Sequence, residues 1–591
     1  MENLTTLLYD TSTTVIPELL EKVMQPIFSW YDYILFTAML FLSSLIGIYF
    51  GCFGSKQKTA QDYLMGGKQM KVIPIAISLI ASHTSGITLL AIPADVYKFG
   101  GTYLLGTLSM VMLAFITNYV FLPIFYKLEI TSTYEYLERR FDNRVRRCAS
   151  GLFALSIFLY LPIVTYIPAL AFSAATGVSV HLITPVVCGV CIFYTTIGGL
   201  KAVVWTDTLQ FTVTVGAMVT VFYLGLQSTG GIANVFYESL EGNRLDLFNF
   251  DPNPTTRDSF WAVVIGLTVH WVGHTSVNQG CVQKFLAVNT FEKAKKTVYY
   301  YCFGMILIKI ISVWTGLIMY TLYHDCDPFL TKHIQNKDHL LPYYVMDVAG
   351  KVPGLSGLFI AGVFCAALST LSANLNCLSG TIYEDFLKDR LEKKGCHKTA
   401  THFLKLIVVV VGVVSTLMVY VVEHLGGLMA LSISLGSVAH APLLGMFTLG
   451  ALCPRANSKG AFWGSIVGVA SMMVLIFGGK YYETIGMIQH VSQNLSTDGC
   501  DFPVFNSTIP QTVNMHQVPF MFRLSFYYLT LVGTTITIVA GLIISYSTAD
   551  EGPVNPDVIS PVIHFLLPSN SKQKEANGDY HSVKLVITRK D

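Results

Sequence analysis

Apolar runs of roughly 20 residues recur along the chain from about residue 27 to 546, separated by shorter polar stretches. Each is long enough to cross the ~30 Å hydrocarbon core of a bilayer as a helix rising ~1.5 Å per residue. A membrane β-barrel would instead alternate apolar and polar positions in short strands. Thirteen spans are predicted: 27–51, 72–97, 99–126, 148–174, 182–200, 202–226, 259–282, 298–323, 356–381, 402–424, 426–450, 460–479 and 518–546. The pattern predicts an all-α polytopic membrane protein with about 13 transmembrane helices.

Composition agrees. The 591 residues are 52% hydrophobic and 13% charged, against about 25% charged in soluble proteins. The mean hydropathy of +0.54 is too high for one soluble core of this length. Net charge is +2 with no long basic block, which excludes a nucleic-acid partner. Residues 1–26 are polar and acidic, and no basic stretch precedes a short apolar core, so no cleaved signal peptide is predicted. Residues 547–591 mix Pro, Ser, Lys and Asp and predict a disordered cytoplasmic tail. Cys188 and Cys191 lie in an apolar segment without a second ligand pair, so they read as buried thiols.

Basic residues orient the spans. Loops 52–71, 127–147, 283–297, 382–401 and 451–459, with the turn at Lys201, hold 22 Lys and Arg; the opposite set of connections holds 8. The N-terminus (1–26) is therefore expected outside and the C-terminus inside, in a plasma-membrane topology. Candidate glycosylation sequons stand at Asn3, Asn494 and Asn506; the last two fall in 480–517, which the parity of spans also places outside. Cys326 and Cys500 lie in two outside loops and are candidates for a disulfide; two separate thiols are the alternative.

Polar stretches at membrane depth must line a cavity or pack inside protein. The second span reads Ser78-Leu-Ile-Ala-Ser-His-Thr-Ser-Gly-Ile-Thr-Leu between Pro74 and Pro93. It predicts a helix interrupted at the midplane, whose free carbonyls suit a cation. In the ninth span Ser369, Ser372 and Asn376 share one face, with Thr370 adjacent. Alone, such a stripe fits interhelical hydrogen bonding. Beside a broken helix, its hydroxyls complete a neutral oxygen cage for a monovalent cation. Span seven carries His270, Trp271, His274, Asn278 and Gln279 among glycines and predicts a polar, aromatic cavity face rather than a zinc site.

Lys309 falls near the centre of span eight, where a charge marks a functional site by default. It meets a carboxylate on another helix or a bound anionic substrate, or it is a neutralised lysine. The spans hold few acids; Asp207 lies near the cytoplasmic end of span six. Spans two to six and seven to eleven form two sets of five. An odd number per set inverts the second relative to the first, and each set opens with an interrupted helix. That arrangement points to a secondary transporter with a midplane site. The repeats are expected over 72–226 and 259–450, with the last two spans over 460–546.

Several motifs carry a resemblance: Tyr194-Thr-Thr-Ile-Gly-Gly-Leu-Lys-Ala-Val-Val-Trp-Thr-Asp-Thr-Leu-Gln210, Ile130-Thr-Ser-Thr-Tyr-Glu-Tyr-Leu-Glu-Arg-Arg-Phe141, Asn278-Gln-Gly-Cys-Val-Gln-Lys284, Asp325-Cys-Asp-Pro328 and Leu368-Ser-Thr-Leu-Ser372. Together they resemble the sodium/solute symporter family along nearly the whole chain. The most similar branch includes sodium-coupled monocarboxylate, multivitamin and iodide transporters. The resemblance implies a leucine-transporter-like fold of 5+5 inverted repeats and sodium-driven import by alternating access. It implies a sodium site from the carbonyls of Ala81, Thr84 and Ala366 with the side chains of Ser369 and Thr370. It implies a second ion or substrate zone at Ser85, Thr88 and Tyr166, and a gating role for Asp207. Two departures count: Thr107 stands where sugar carriers have a substrate-contacting acid, and His83 stands where they have Asn. Lys309 replaces an aliphatic residue of the monocarboxylate and iodide relatives, though sugar carriers have a Lys near it.

The expectation is a sodium-coupled symporter for a small organic anion, a monocarboxylate or vitamin-like carboxylate. Its substrate zone is placed at His83, Ser85, Thr88, Tyr166, Trp271 and Lys309, with sodium and the lipid bilayer as its other partners. A sodium-dependent sensor or channel with the same cage is the competing class; a sugar, a polyol or an inorganic anion is the competing substrate. No Walker-type phosphate loop and no nucleophile–base set in the loops predict an ATPase or an enzyme. The oligomeric state is not readable from sequence.

Overall fold

The computed structural model describes residues 29–49, 70–130, 132–331, 333–334, 339–349, 352–388, 391, 400–423, 428–490, 492–500, 517–548 and 554–567. Asn3, Asn506 and most of the polar C-terminal segment lie outside them. The helices in chain order are α1 (Trp30–Ile48), α2 (Val72–His83), α3 (Ile87–Phe99), α4 (Gly101–Leu128), α5 (Thr133–Arg140), α6 (Asn143–Thr176), α7 (Val180–Gly198), α8 (Ala202–Ser228) and α9 (Ile232–Glu241). They continue as α10 (Ala262–Thr275), α11 (Gln279–Leu286), α12 (Phe291–Tyr323), α13 (Leu340–Ala349), α14 (Leu355–Leu387), α15 (Thr401–Val422), α16 (Ala430–Leu452), α17 (Ser458–Thr484) and α18 (Phe526–Ser547).

Eleven of these helices are long and apolar enough to cross a membrane singly, and α2 with α3 forms a twelfth span bent by 63°. The seventh expected span is the pair α10 and α11, separated by Ser276, Val277 and Asn278. The chain is all-helical among the described residues, as its apolar pattern requires.

Each break has a local cause. Pro93 has no N–H for the Leu89 carbonyl, and the turn ahead of it, Ile87–Ala91, widens into a π-helix. Thr84 leaves helical geometry at φ −87°, ψ 79°. Gly86 is required by closeness: a Cβ there would lie 2.8 Å from Ile167 Cγ2 on α6. In the second break Asn278 is extended and caps α11 by accepting from Gly280 N. Interrupted helices thus open both sets of five.

Helix α14 runs through the middle of the molecule and is almost wholly buried, whereas α15 turns most of its surface outward. Its hydroxyl-bearing face is therefore a protein–protein face, with Ser369, Thr370, Ser372 and Asn376 all buried. Several helices extend beyond their apolar windows. Helix α6 begins at Asn143, where Asp142 caps it, and Arg146 on its first turns bridges Glu138 and Asp385, each at 2.5 Å. The thirteenth span starts at Phe526 rather than 518, behind a short 3₁₀ turn over Phe520–Phe522.

The face rich in Lys and Arg is sealed by α5 and by a piece of the C-terminal segment. Arg140 is 7% exposed; its guanidinium donates to the carbonyls of Gly450, Cys453, Pro454 and Ala456 at 3.0–3.3 Å, capping the end of α16. The expectation of disorder over 547–591 fails for residues 554–567. Two Pro-led 3₁₀ turns, Pro556–Val558 and Pro561–Leu566, bury Val558, Ile559 and Ser560. Tyr136 Oη donates to the Val558 carbonyl at 3.0 Å, and Ser560 bonds the carbonyls of Ala451 (2.9 Å) and Val120 (3.0 Å). Lys127 pairs with Asp557 at 2.6 Å. A polar average over 45 residues hides Val558 and Ile559, two apolar residues that find a socket.

On the opposite face Cys326 and Cys500 form a disulfide, with Cα atoms 4.9 Å apart. Arg244, 1% exposed, ties the same region together through the carbonyls of Tyr97, Gly242 and Asn494.

Candidate functional site

The two breaks and α14 meet in the centre of the bundle and position two adjoining zones. The first is built of oxygen. Thr370 Oγ1 lies 3.0 Å from both the Ser82 and the Ala366 carbonyl oxygens, so α14 is bonded to the end of α2. Ser369 Oγ donates to Asp207 Oδ1 at 2.7 Å, and Ser78 Oγ to Asp207 Oδ2 at 2.6 Å. Ala81 and Ala366 are each 3% exposed. In a continuing helix the Ala81 carbonyl would meet the N–H of Ser85, but α2 ends at His83. Thr84 Oγ1 is buried and has no partner. The structure joins Thr370 and Ala366 of α14 to the end of α2 at Ser82, the residue between Ala81 and His83, and the five residues expected to hold sodium offer neutral hydroxyl and carbonyl oxygens.

Asp207 has no exposed surface and is the hub of this zone rather than a peripheral acid. Besides the two serines it faces Lys284, whose Nζ lies 3.5 Å from Oδ2. The ammonium also donates to Ser82 Oγ at 2.7 Å and to the Ser78 carbonyl at 3.2 Å. Removing one partner of such a buried pair strands the other, which costs about 3–5 kcal/mol. Sequence reasoning missed Lys284 because the apolar window ends at 282 and leaves the lysine to a basic loop. The available signal was its place in the Asn278–Lys284 motif.

The second zone is a cavity of about 70 Å³ lined by His83, Ser85, Thr88, Tyr103, Tyr160, His270, Trp271, His274 and His440, among others. Four histidines surround it. His274 is their centre, with ring centroids 5.3 Å from His83, 6.1 Å from His270 and 5.0 Å from His440. His83 Nδ1 contacts the Leu79 carbonyl at 2.8 Å, and His270 Nδ1 contacts Thr530 Oγ1 at 3.1 Å. The Trp271 indole N–H and His274 Nδ1 are buried without partners. Among the described residues no group of histidines, cysteines and acids has metal-binding geometry. Of the expected substrate residues, His83, Ser85, Thr88 and Trp271 line this cavity; Tyr166, 5% exposed, is not among its lining residues. Tyr103, Tyr160 and His440 were not singled out in the sequence; they come from three different spans, and only the fold brings them to one cavity.

Lys309 stands directly behind the cavity wall. It is 1% exposed, donates to Tyr103 Oη at 2.7 Å, and places Nζ 4.5 Å from the Tyr103 ring and 4.7 Å from the Trp271 ring. Aromatic faces attract a cation but do not neutralise it. Among the described residues no carboxylate pairs with Lys309, although salt bridges are found elsewhere in the molecule.

Comparison with known proteins matches this arrangement. Residues 63–468 match the sodium:solute symporter family model. Sodium-coupled monocarboxylate transporter 1 of Xenopus laevis is 37% identical over 88% of this chain and 85% of its own length. A putative sodium-dependent multivitamin transporter of Drosophila melanogaster is 32% identical over 87% of this chain and 86% of its own. Among solved structures, a Na+-coupled sialic acid symporter in a substrate-bound outward-open state superposes with a TM-score of 0.73. That match has 26% identity and covers 89% of this chain and 100% of the other. The chain belongs to the sodium:solute symporter family, carriers rather than enzymes, and has the leucine-transporter-like fold that its two broken helices announced.

Proposed function

We propose that this protein is a plasma-membrane symporter that uses the sodium gradient to import a small organic anion of the monocarboxylate class. One observation carries the substrate reading. Lys309 is a buried amine set against two aromatic side chains, the Tyr103 phenol and the Trp271 indole, and these two also form the cavity wall in front of it. An anion in the cavity supplies the missing negative charge, and the unpartnered Trp271 N–H supplies a hydrogen bond to it. Relatives that are sodium-coupled monocarboxylate transporters, at 35–37% identity, favour the same class.

Sodium is held between the end of α2 and α14 by Ala81, Thr84, Ala366, Ser369 and Thr370. It stabilises the closed contact of these helices, and its loss to a low-sodium compartment loosens that contact. The membrane potential adds ~2.3 kcal/mol per charge moved through 100 mV. The repeats run over 72–226 and 259–450. The basic face is cytoplasmic, the N-terminus is outside, and Asn494 and Asn506 carry glycans on the outer face.

The test is uptake of a radiolabelled panel of monocarboxylates, vitamins, sugars and halides, each with sodium and with choline replacement. Sodium-dependent accumulation of a monocarboxylate above its equilibrium level is expected. Accumulation of a neutral sugar alone would overturn the substrate reading; ligand-evoked current without accumulation would make the protein a sensor or channel.

A further inference from the structure

The Lys284 ammonium is itself a cation in an oxygen site. Its three N–H groups have three oxygen acceptors of three kinds: a hydroxyl at 2.7 Å (Ser82), a carbonyl at 3.2 Å (Ser78) and a carboxylate at 3.5 Å (Asp207). Hydroxyl, carbonyl and carboxylate oxygen are also what a small hard cation selects. The side chain arrives from α11, beyond the second break, and its acceptors lie on α2 and α8, so one ammonium joins three elements. It is 4% exposed and Asp207 is 0% exposed, so water does not compensate the carboxylate.

This ammonium adjoins the proposed sodium zone through two shared atoms' neighbourhoods. Asp207 holds Lys284 with one oxygen and accepts from Ser369 with the other; Ser82 accepts from Lys284 at its hydroxyl and from Thr370 at its carbonyl. Ser369 gives its proton to Asp207, which leaves its lone pairs for an ion. The pair therefore contributes zero net charge to the zone while keeping Ser369 oriented.

We propose that Lys284 is a tethered cation that takes the place of an additional sodium ion beside Asp207, so that it sets how many ions the carrier binds. Lys284 is a positioning residue: it acts through Asp207 and Ser369 and does not touch the transported solute. Without it, Asp207 is a buried, uncompensated carboxylate surrounded by hydroxyl and carbonyl oxygens, and a free cation enters. The inference rests on the sodium half of the functional reading and not on the identity of the solute.

Equilibrium binding of radioactive sodium to the purified full-length protein tests it without any solute. Lys284→Met is expected to bind one more ion per molecule than the wild type, with a steeper sodium dependence. Lys284→Arg, which keeps the tethered charge, is expected to bind the wild-type number, as is Asp207→Asn with Lys284→Met, which removes both charges. An unchanged ion count in Lys284→Met, or an extra ion in the double variant, overturns the proposal. Where Lys284→Met does not fold without sodium, sodium is expected to rescue its thermal stability while leaving that of the double variant nearly unmoved; equal rescue of both also overturns it. If the uptake panel finds no anionic solute while the ion count still rises in Lys284→Met, the solute reading falls and this one stands.

Discussion

Two residues decide what the centre of the bundle can hold. Lys309 lies deep in the membrane with one hydrogen bond, to Tyr103. Lys309→Met removes the proposed charge from behind the cavity wall and is expected to raise KM for an anionic solute about tenfold or more, at ~1.4 kcal/mol per decade. Neutral solutes are expected to change far less, and uptake kinetics on matched pairs measure the difference. Ser369 and Thr370 contribute two of the five oxygens proposed for sodium. Ser369→Ala with Thr370→Ala is expected to raise the half-saturating sodium concentration at least tenfold at normal surface density; an unchanged sodium curve would remove both from the cage. These residues were legible because a hydroxyl or a lysine is conspicuous in an apolar run. Lys284 was not, since charge at the end of a span reads as an interfacial lysine until α11 is seen to turn back into the bundle.

At the scale of elements, the breaks were readable from small polar residues and prolines, and the structure adds what keeps them apart. At its C-terminal end helix α3 is held by Arg257, which reaches Asp95 and Asp258 at 2.5 Å each and lies over the Phe99 ring at 3.7 Å. Both Arg257 and Asp258 line a polar cavity on that face. Burial, opposed by Arg257 and reinforced by the Asp95 carboxylate, pushes Asp258 up to about 6. Its value in an unfolded chain is ~3.9, so the folded protein carries the full penalty of an ionised Asp258 above pH 6. The penalty is relieved progressively as pH falls from about 6 toward ~4. Asp258→Asn is therefore expected to raise the melting temperature at pH 7.5 and to raise it less at pH 5, as read by thermal unfolding in detergent. Equal shifts at both pH values would exclude a titrating Asp258. None of this was visible in sequence, because Asp95 and Asp258 are 163 positions apart and only the fold makes them neighbours.

For the molecule as a whole, counting apolar windows predicted thirteen spans; among the described residues eleven helices and one bent pair pass as spans, and the window at 259–282 falls on two shorter helices. The parity of the windows placed Cys326 and Cys500 on one face, where they are bonded. The windows failed at helix ends, where charged side chains such as Arg146 extend the helix by finding partners on other elements. They failed also at residues 554–567, whose 3₁₀ turns have no long period to detect. A chain ending at residue 567 is expected to melt near the full-length protein. One ending at 553 loses the Tyr136, Ala451, Val120 and Lys127 contacts together and is expected to melt several degrees lower, by fluorescence-detected thermal unfolding. Coincident melting curves would mean that the segment rests on the surface without supporting it.

That segment also bears on how the protein is made. Its sockets on α4, α5 and α16 are synthesised long before it, and residues 554–567 leave the ribosome behind the last span. Until then the polar carbonyls of Val120 and Ala451 have no such cover. A message truncated just upstream would encode every described membrane helix and none of the contacts that close this seam.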